Sequence, residues 1–137
     1  MNRFIVALIL FSLFQISVKG QVSLKIVITN LENNEGRVIL DFKDGHNKEI
    51  KAFYEKIVNK QCIITINNLK PGKYSFKYIH DKNNNNKLDT NLIGMPKEGF
   101  GFANNALKKF GPPDFQETVF EVRKDTTLVC KAYYINF

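Results

Sequence analysis

The chain has 137 residues, with 20 Lys and Arg against 13 Asp and Glu, which gives a formal charge of +7. Hydrophobic residues make up 44% of it and charged residues 24%. This is the composition of an ordinary globular protein, and it excludes a disordered, collagen-like or multispan membrane chain. The length suits one domain of usual size.

The first 20 residues have the pattern of a secretory signal peptide. Arg3 supplies a positive charge, and residues 4–14 form an apolar run broken by a single serine. This run is too short to span a bilayer comfortably, because a spanning helix needs about 20 residues. Val18 and Gly20 place compact side chains at the −3 and −1 positions of a cleavage site. We therefore predict that residues 1–20 are a signal peptide; the alternative is an uncleaved anchor.

Cleavage after Gly20 would leave residues 21–137 as a single domain with 18 basic and 13 acidic residues, a net charge of +5. The lysines of this part are scattered singly, as at Lys25, Lys43 and Lys48. They predict solvated strand faces and turns, and not a nucleic-acid surface. We expect an exported protein, periplasmic or extracellular, with no nucleic-acid partner and no transmembrane anchor after cleavage.

Apolar and polar side chains alternate along short runs of residues 21–137, which is typical of half-buried strands. Residues 50–58 also have helical spacing, but the Asn59-Lys60 turn favours a hairpin between 52–58 and the next run. Clusters of Asn, Asp, Gly and Pro separate the runs. The predicted strands are 22–29, 37–42, 52–58, 62–66, 74–80, 118–122 and 127–137. Seven short strands predict an all-β fold, a single antiparallel sandwich with one long loop excursion at 81–115.

The excursion begins with a possible ion-binding pattern, D-x-N-x-N-x-x-x-D. The oxygen ligands would be side chains at positions 1, 3, 5 and 9 and the backbone carbonyl at position 7. These positions are Asp81, Asn83, Asn85, Asp89 and, for the carbonyl, Lys87. Because only two of them are charged, we expect weak Ca²⁺ binding, in the roughly 10⁻⁴–10⁻³ M range of extracellular modules.

Two positions of this loop depart from a calcium-binding EF-hand loop. Asn86 stands where that loop has glycine, although Asn tolerates the left-handed conformation better than most residues. Leu92 stands where that loop has its bidentate glutamate. An Asn-rich turn whose amides bond to the backbone explains the pattern equally well.

Phenylalanines separated by glycines follow the loop. Phe100, Phe102 and Phe110 either form a stacking platform for a sugar or peptide, or pin the excursion onto the sandwich. We favour the second interpretation, because aromatic side chains mostly contribute burial. Residues 103–109 are expected to form one or two helical turns, and Glu98 beside Lys97 is expected to be a solvated charge pair.

Long blocks of this sequence resemble one bacterial family. The blocks are residues 69–74, the His80-Asp81 pair with its loop, residues 94–105 and residues 110–113. Over about residues 22–136 they are similar to the uncharacterised family catalogued as domain of unknown function number 2141. The resemblance implies an exported β-sandwich, transthyretin-like or immunoglobulin-like, and no established activity. The family's loop is Asp-x-Asn-Gly-Asn-Gly-x-x-Asp, so Asn84 and Asn86 here replace its glycines.

The sequence offers little for catalysis. His80 and Asp81 are adjacent, and such a pair can serve acid–base chemistry or bind a metal. No serine or cysteine nucleophile accompanies them, so we predict a structural histidine that bonds the long loop. The alternative is an enzyme, or a carbohydrate- or peptide-binding domain, with a pocket around His80, Asp81 and the Gly-Phe-Gly-Phe segment, residues 99–102.

Cys62 and Cys130 are the only cysteines. Export permits a disulfide between them, but bonding also requires Cα atoms within about 7 Å. Two buried thiols are the favoured alternative. Taken together, these patterns predict an exported, non-enzymatic sandwich, a binding or envelope-accessory module whose partner is an envelope protein, a glycan or a peptide.

Overall fold

Two β-sheets make up the regular structure of residues 20–136, the part of the chain that this computed structural model describes. The strands are β1 (Val22–Thr29), β2 (Arg37–Asp44), β3 (Glu49–Glu55), β4 (Cys62–Leu69), β5 (Gly72–Asp81), β6 (Phe100–Phe102), β7 (Phe120–Val122) and β8 (Thr126–Lys131). Short 3-10 turns lie at Ala103–Asn105 and Phe115–Thr118. The described residues contain no helix of the length and apolar character that a membrane crossing requires. The predicted signal peptide lies outside them, except for Gly20.

The two sheets pack as a sandwich, so the predicted all-β fold is confirmed. One sheet has the strand order β4-β1-β8, and the other has the order β3-β2-β5-β6. Strand β7 also pairs with β5, on the same edge as β6 but nearer the start of that strand. One pair departs from the expected antiparallel arrangement, because β1 and β8 run parallel.

Alternate side chains of each strand fill the space between the sheets, as the period of two predicts. On the long central strand β5, the inward side chains are Tyr74, Phe76, Tyr78 and His80, all at most 8% exposed. The main core residues from the other strands are Leu24, Ile26, Ile28, Val38, Leu40, Phe42, Ile64, Ile66, Val122 and Cys130. Of the outward side chains of β5, Lys73 and Lys77 are exposed, whereas Ser75 and Asp81 are covered by other parts of the chain.

Strand β3 lies earlier in the chain than predicted and pairs with a different neighbour. It spans Glu49–Glu55, not 52–58, and its partner is β2. The Asn59-Lys60 turn does have two residues, both with positive φ, but it closes only the bridge between Val58 and Gln61. The predicted hairpin is wrong because β3 and β4 belong to different sheets.

The end of the chain also differs from the prediction. Strand β8 stops at Lys131 and not at residue 137, and Tyr133 then bridges to Phe100 of the other sheet. The predicted helix at 103–109 is reduced to the short turn Ala103–Asn105. Asn104 and Asn105 have positive φ, which ends a helix.

The Gly-Phe-Gly-Phe segment forms an extra strand, β6, inside the predicted excursion. Its glycines face inward, where a Cβ on Gly99 would lie 2.5 Å from the Tyr134 ring. A Cβ on Gly101 would overlap the ring of Tyr78. The glycines let β6 lie against these two tyrosines, and the phenylalanines consequently face outward.

Cys62 and Cys130 are free thiols in the structure, so the possibility of a disulfide between them is wrong. Cys62 on β4 and Cys130 on β8 both lie opposite Ile28 of β1, one on each side. Two strand spacings separate them, roughly 10 Å, which is beyond disulfide reach. Burial raises the pKa of Cys62 to about 12 and that of Cys130 to about 11.

We expect both thiols to be unreactive in the folded protein. At pH 8 a thiol reagent should modify neither cysteine until denaturant is added, since the thiolate is the reacting species. In denaturant without reductant, Cys62 and Cys130 should both react. Unreduced protein that shows no free thiol after denaturation would instead contain the disulfide.

Replacing Gly101 with alanine tests the contact between β6 and Tyr78. We expect Gly101→Ala to lower the free energy of unfolding by about 1–3 kcal/mol, because the added methyl overpacks the core. Gly72→Ala is the matched control, since its nearest contact would be an ordinary 3.8 Å. Chemical denaturation of both variants measures the difference, and equal stability would refute the proposed packing role.

Candidate functional site

The Asn/Asp loop, residues 81–89, begins at Asp81, the last residue of β5, whose side chain faces outward. Asp81 is fully buried, and its carboxylate accepts hydrogen bonds from the backbone N–H of Asn85 and of Asn86, each at 3.0 Å. Asn84 and Asn86 have φ of 57° and 67°. These two asparagines thus adopt the left-handed conformation that glycine adopts most readily, and the turn is tight.

The other candidate ligands converge on Asp89. The side-chain amides of Asn83 and Asn85 donate to the two oxygens of this carboxylate at 2.6 and 2.9 Å. These hydrogen bonds, first from Asn85 and then from Asn83, lower the pKa of Asp89. The structure therefore brings together four predicted side chains, with the backbone of Lys87 bonded to Asn85 at 3.1 Å.

These side chains could bind a hard cation, but most of the oxygens that they offer are neutral. Each amide oxygen of Asn83 and Asn85 accepts one backbone N–H, which leaves a second lone pair for an ion. Among residues 20–136, no group of three or more His, Cys, Asp and Glu side chains is close enough to hold a metal. Neutral amide and backbone oxygens would have to supply most of the coordination.

Arg37 compensates the charge of Asp81, a contact that no pattern in the sequence indicates. Its Nε lies 3.6 Å from the Asp81 carboxylate, and its Nη2 donates to the Asn86 side chain. The guanidinium also lies 5.1 Å above the ring of Tyr54. Of the two carboxylates in the loop, Asp89 is therefore the one whose negative charge is less compensated by a cationic side chain. A cation bound there would meet little negative charge in total.

Glu98 joins the two ends of the loop. The prediction that it forms a solvated charge pair with Lys97 is therefore wrong. It is 4% exposed, and its two oxygens accept from the backbone N–H of Lys82 at 2.9 Å and of Asp89 at 3.0 Å. Two hydrogen bonds to ionised oxygens offset the cost of burying the carboxylate. Only the folded structure identifies these partners, because they are 16 and 9 residues away.

His80 points into the sandwich and away from Asp81. It is fully buried, with Nε2 2.8 Å from the Glu35 carbonyl and Nδ1 2.7 Å from the Tyr134 hydroxyl. The carbonyl can only accept, so Nε2 donates to it, and Nδ1 of a neutral imidazole accepts from Tyr134. Its side chain therefore joins the β1–β2 turn to the chain end, and only its backbone N–H bonds the long excursion, at Gly99.

A groove lies on the outer face of the five-stranded sheet, and we call it the outer groove. Its volume is about 420 Å³, and its apolar lining includes Ile39, Tyr54, Ile79, Phe100 and Phe102. The centroids of the two phenylalanine rings are 6.4 Å apart. Residues 86–88 of the Asn/Asp loop also line it. Loop and groove are therefore parts of one surface.

Not every predicted ligand-binding residue reaches this groove. His80 and Asp81 do not line it, and Phe110 is 83% exposed outside it. Phe100 and Phe102 are half-buried, so they form part of the lining and not an exposed row. An ion pair between Asp41 and Lys77, 3.6 Å apart, adds polar groups to the lining.

The part of the chain that builds this surface matches a known family. A family model described as an uncharacterized protein conserved in bacteria, DUF2141, matches residues 26–129. The chain belongs to this family. The resemblance inferred from the sequence blocks is thus confirmed, and the matched range includes the Asn/Asp loop, Glu98 and β6. No curated protein and no solved structure matches the chain.

For this DUF2141 protein, we expect Tyr134→Phe to weaken the fold without touching the outer groove. The Tyr134 hydroxyl accepts from the backbone N–H of the exposed Glu32 at 2.9 Å and donates to the buried His80, so its loss leaves the buried Nδ1 of His80 unpaired. The free energy of unfolding should fall by about 1–3 kcal/mol. Tyr133→Phe is the control, because Tyr133 contacts β6 through its backbone. Equal urea midpoints for the two variants would contradict the structural role of this hydroxyl.

Proposed function

We propose that this protein is an exported, non-enzymatic binding module in which Ca²⁺ orders the Asn/Asp loop at one end of the outer groove. The observation that carries the proposal is the convergence of Asn83 and Asn85 on the Asp89 carboxylate beside that groove. Export rests on the sequence pattern of residues 1–20, with its short apolar run and compact cleavage site.

The ion would take oxygens from Asn83, Asn85 and Asp89, from the backbone carbonyl of Lys87 and from Asp81. Water would complete the six to eight oxygen ligands that Ca²⁺ prefers. Arg37 already compensates Asp81, and position 12 of the loop is Leu92. Affinity should therefore be low, with a dissociation constant of roughly 10⁻⁴–10⁻³ M.

Ion binding and groove binding should be coupled. The backbone of Lys87 supplies an ion ligand, and the same residue lines the groove together with Asn86 and Leu88. An ion that fixes this segment also fixes one end of the groove. Linkage then requires that a groove ligand raise the affinity for Ca²⁺ by the same factor by which Ca²⁺ raises the affinity for the ligand.

The groove suits a glycan or a peptide segment from the cell envelope. Tyr54, Phe100 and Phe102 offer apolar and aromatic surface, while Asp41 and Lys77 offer hydrogen-bonding groups. A concave, mostly apolar site with a few polar groups is the usual form of a small-ligand site. Catalysis is not favoured, because the polar atoms of His80 and Asp81 are used within the fold.

Calorimetric melting of residues 21–137 tests the calcium proposal. We expect the melting temperature in millimolar Ca²⁺ to exceed that in EDTA, with Mg²⁺ giving a smaller effect. At ten times the dissociation constant, binding to the folded state alone adds about 1.4 kcal/mol of stability. No Ca²⁺-selective rise would refute the ion site.

The informative variant is Asp89→Asn, which removes the charge and one of the two carboxylate oxygens while keeping the size and shape of the side chain. It should lose the Ca²⁺-dependent rise, whereas Glu121→Gln on the exposed side of β7 should retain it. Asp81→Ala is less informative, because Asp81 is buried and bonded to the loop backbone without any ion. A rise that persists in Asp89→Asn would place the ion elsewhere.

A further inference from the structure

The segment after the Asn/Asp loop exposes two large aliphatic side chains side by side. Leu92 is 106% exposed and Ile93 is 81% exposed, more than Val58 at 64% or Val129 at 61%. Met95 follows at 37%. These side chains lie at the tip of residues 89–97, which we call the tip hairpin. A group of exposed apolar side chains next to one another is a candidate contact surface.

Hydrogen bonds hold the tip hairpin in this conformation. The Asn91 side-chain oxygen accepts from the backbone N–H of Ile93 at 3.1 Å and of Met95 at 2.9 Å. At its base, the Lys97 N–H donates to the Asp89 carbonyl at 2.8 Å. The aliphatic tip is thus presented on a fixed frame, which reduces the ordering cost of binding.

The most exposed charged side chains at the base of the tip are two lysines. Residues 90–97 contain no acid, and Lys87 and Lys97 are exposed at its base. The nearest carboxylates, Asp89 and Glu98, lie at the same base and offset part of this positive charge, but Asp89 is half-buried and Glu98 is buried, so the two lysines are the more exposed charges. Lysines attract a negatively charged lipid surface when they lie close to it. Residues 21–137 have 18 basic and 13 acidic residues, a formal charge of +5.

We propose that the tip hairpin docks the protein on an anionic membrane surface. Leu92 and Ile93 enter the boundary between headgroups and acyl chains, while Lys87 and Lys97 contact the headgroups. This role goes beyond the proposed calcium and groove functions and does not depend on either. Binding is peripheral and reversible, because only two or three apolar side chains enter the lipid.

A lipid surface fits this feature better than a protein partner. The apolar part of the tip consists of three side chains on a convex loop, whereas a stable protein interface buries about 800 Å² on each side. A bilayer accepts a convex tip without a preformed pocket. The combination of a fixed aliphatic tip and basic flanks is the chemistry that interfacial anchors use.

The test is co-flotation of residues 21–137 with lipid vesicles in EDTA, so that the calcium proposal has no influence on the result. One vesicle set contains equal parts of phosphatidylcholine and phosphatidylglycerol, and the other contains phosphatidylcholine alone. We expect binding to the anionic vesicles, weakened by added salt. The double variant Leu92→Ser/Ile93→Ser should reduce the partition coefficient about tenfold or more.

The matched control is Ile63→Thr/Val129→Thr, which removes equally apolar exposed side chains from the outer face of the three-stranded sheet. Its partition coefficient should equal that of the unaltered protein. The tip variant should also melt at an unchanged temperature, since Leu92 and Ile93 make no buried contact. Equal binding by the tip variant, or an equal loss in the control, would overturn the proposal. Absence of binding to anionic vesicles would also overturn it and would leave a protein partner as the explanation of the tip.

Discussion

The alternation of side chains along β5 is the constraint on which the other features depend. Inward residues complete the core, and His80 is the last of them, bonded between Glu35 and Tyr134. The next residue, Asp81, necessarily faces the other side of the sheet. Two neighbours with the chemistry of a catalytic pair are thus directed to opposite faces. Neighbouring residues of a strand point to opposite faces of the sheet, whereas neighbouring residues of a loop can point to the same place.

The same alternation explains the glycine-phenylalanine segment. Tyr78 and Tyr134 occupy the inner side of β6, so Gly99 and Gly101 are the residues that can lie over them. Phe100 and Phe102 must then face outward, next to Ile79 and Lys77 of β5. The glycines of this motif pack against the two tyrosines, and its phenylalanines line the outer groove as a consequence. The motif resembles a binding platform in sequence, but half of it serves packing. Its inner contacts therefore fix the geometry of its outer surface.

Periodicity predicted the strands and their buried faces well, because which face of a strand is buried is a local property of the sequence. It failed where the outcome depends on distant partners. Strand β3 pairs with β2 and not with β4, and Cys62 and Cys130 are separated by β1. Glu98 is buried because backbone N–H groups elsewhere in the chain satisfy it. Register and nonlocal hydrogen bonds have no short-range sequence signal, so these features required the fold.

The many asparagines have two distinct roles, and the structure separates them. Eight of the nine non-glycine residues with positive φ in residues 20–136 are asparagines, including Asn84 and Asn86. At these positions asparagine replaces glycine for backbone reasons, which weakens any argument for an ion site from composition alone. Asn83 and Asn85 are absent from that set, and their amides contact Asp89. The side-chain oxygens of Asn83 and Asn85 also accept backbone N–H groups two residues on, as in an Asx turn, so the case for a cation depends on their contacts with Asp89.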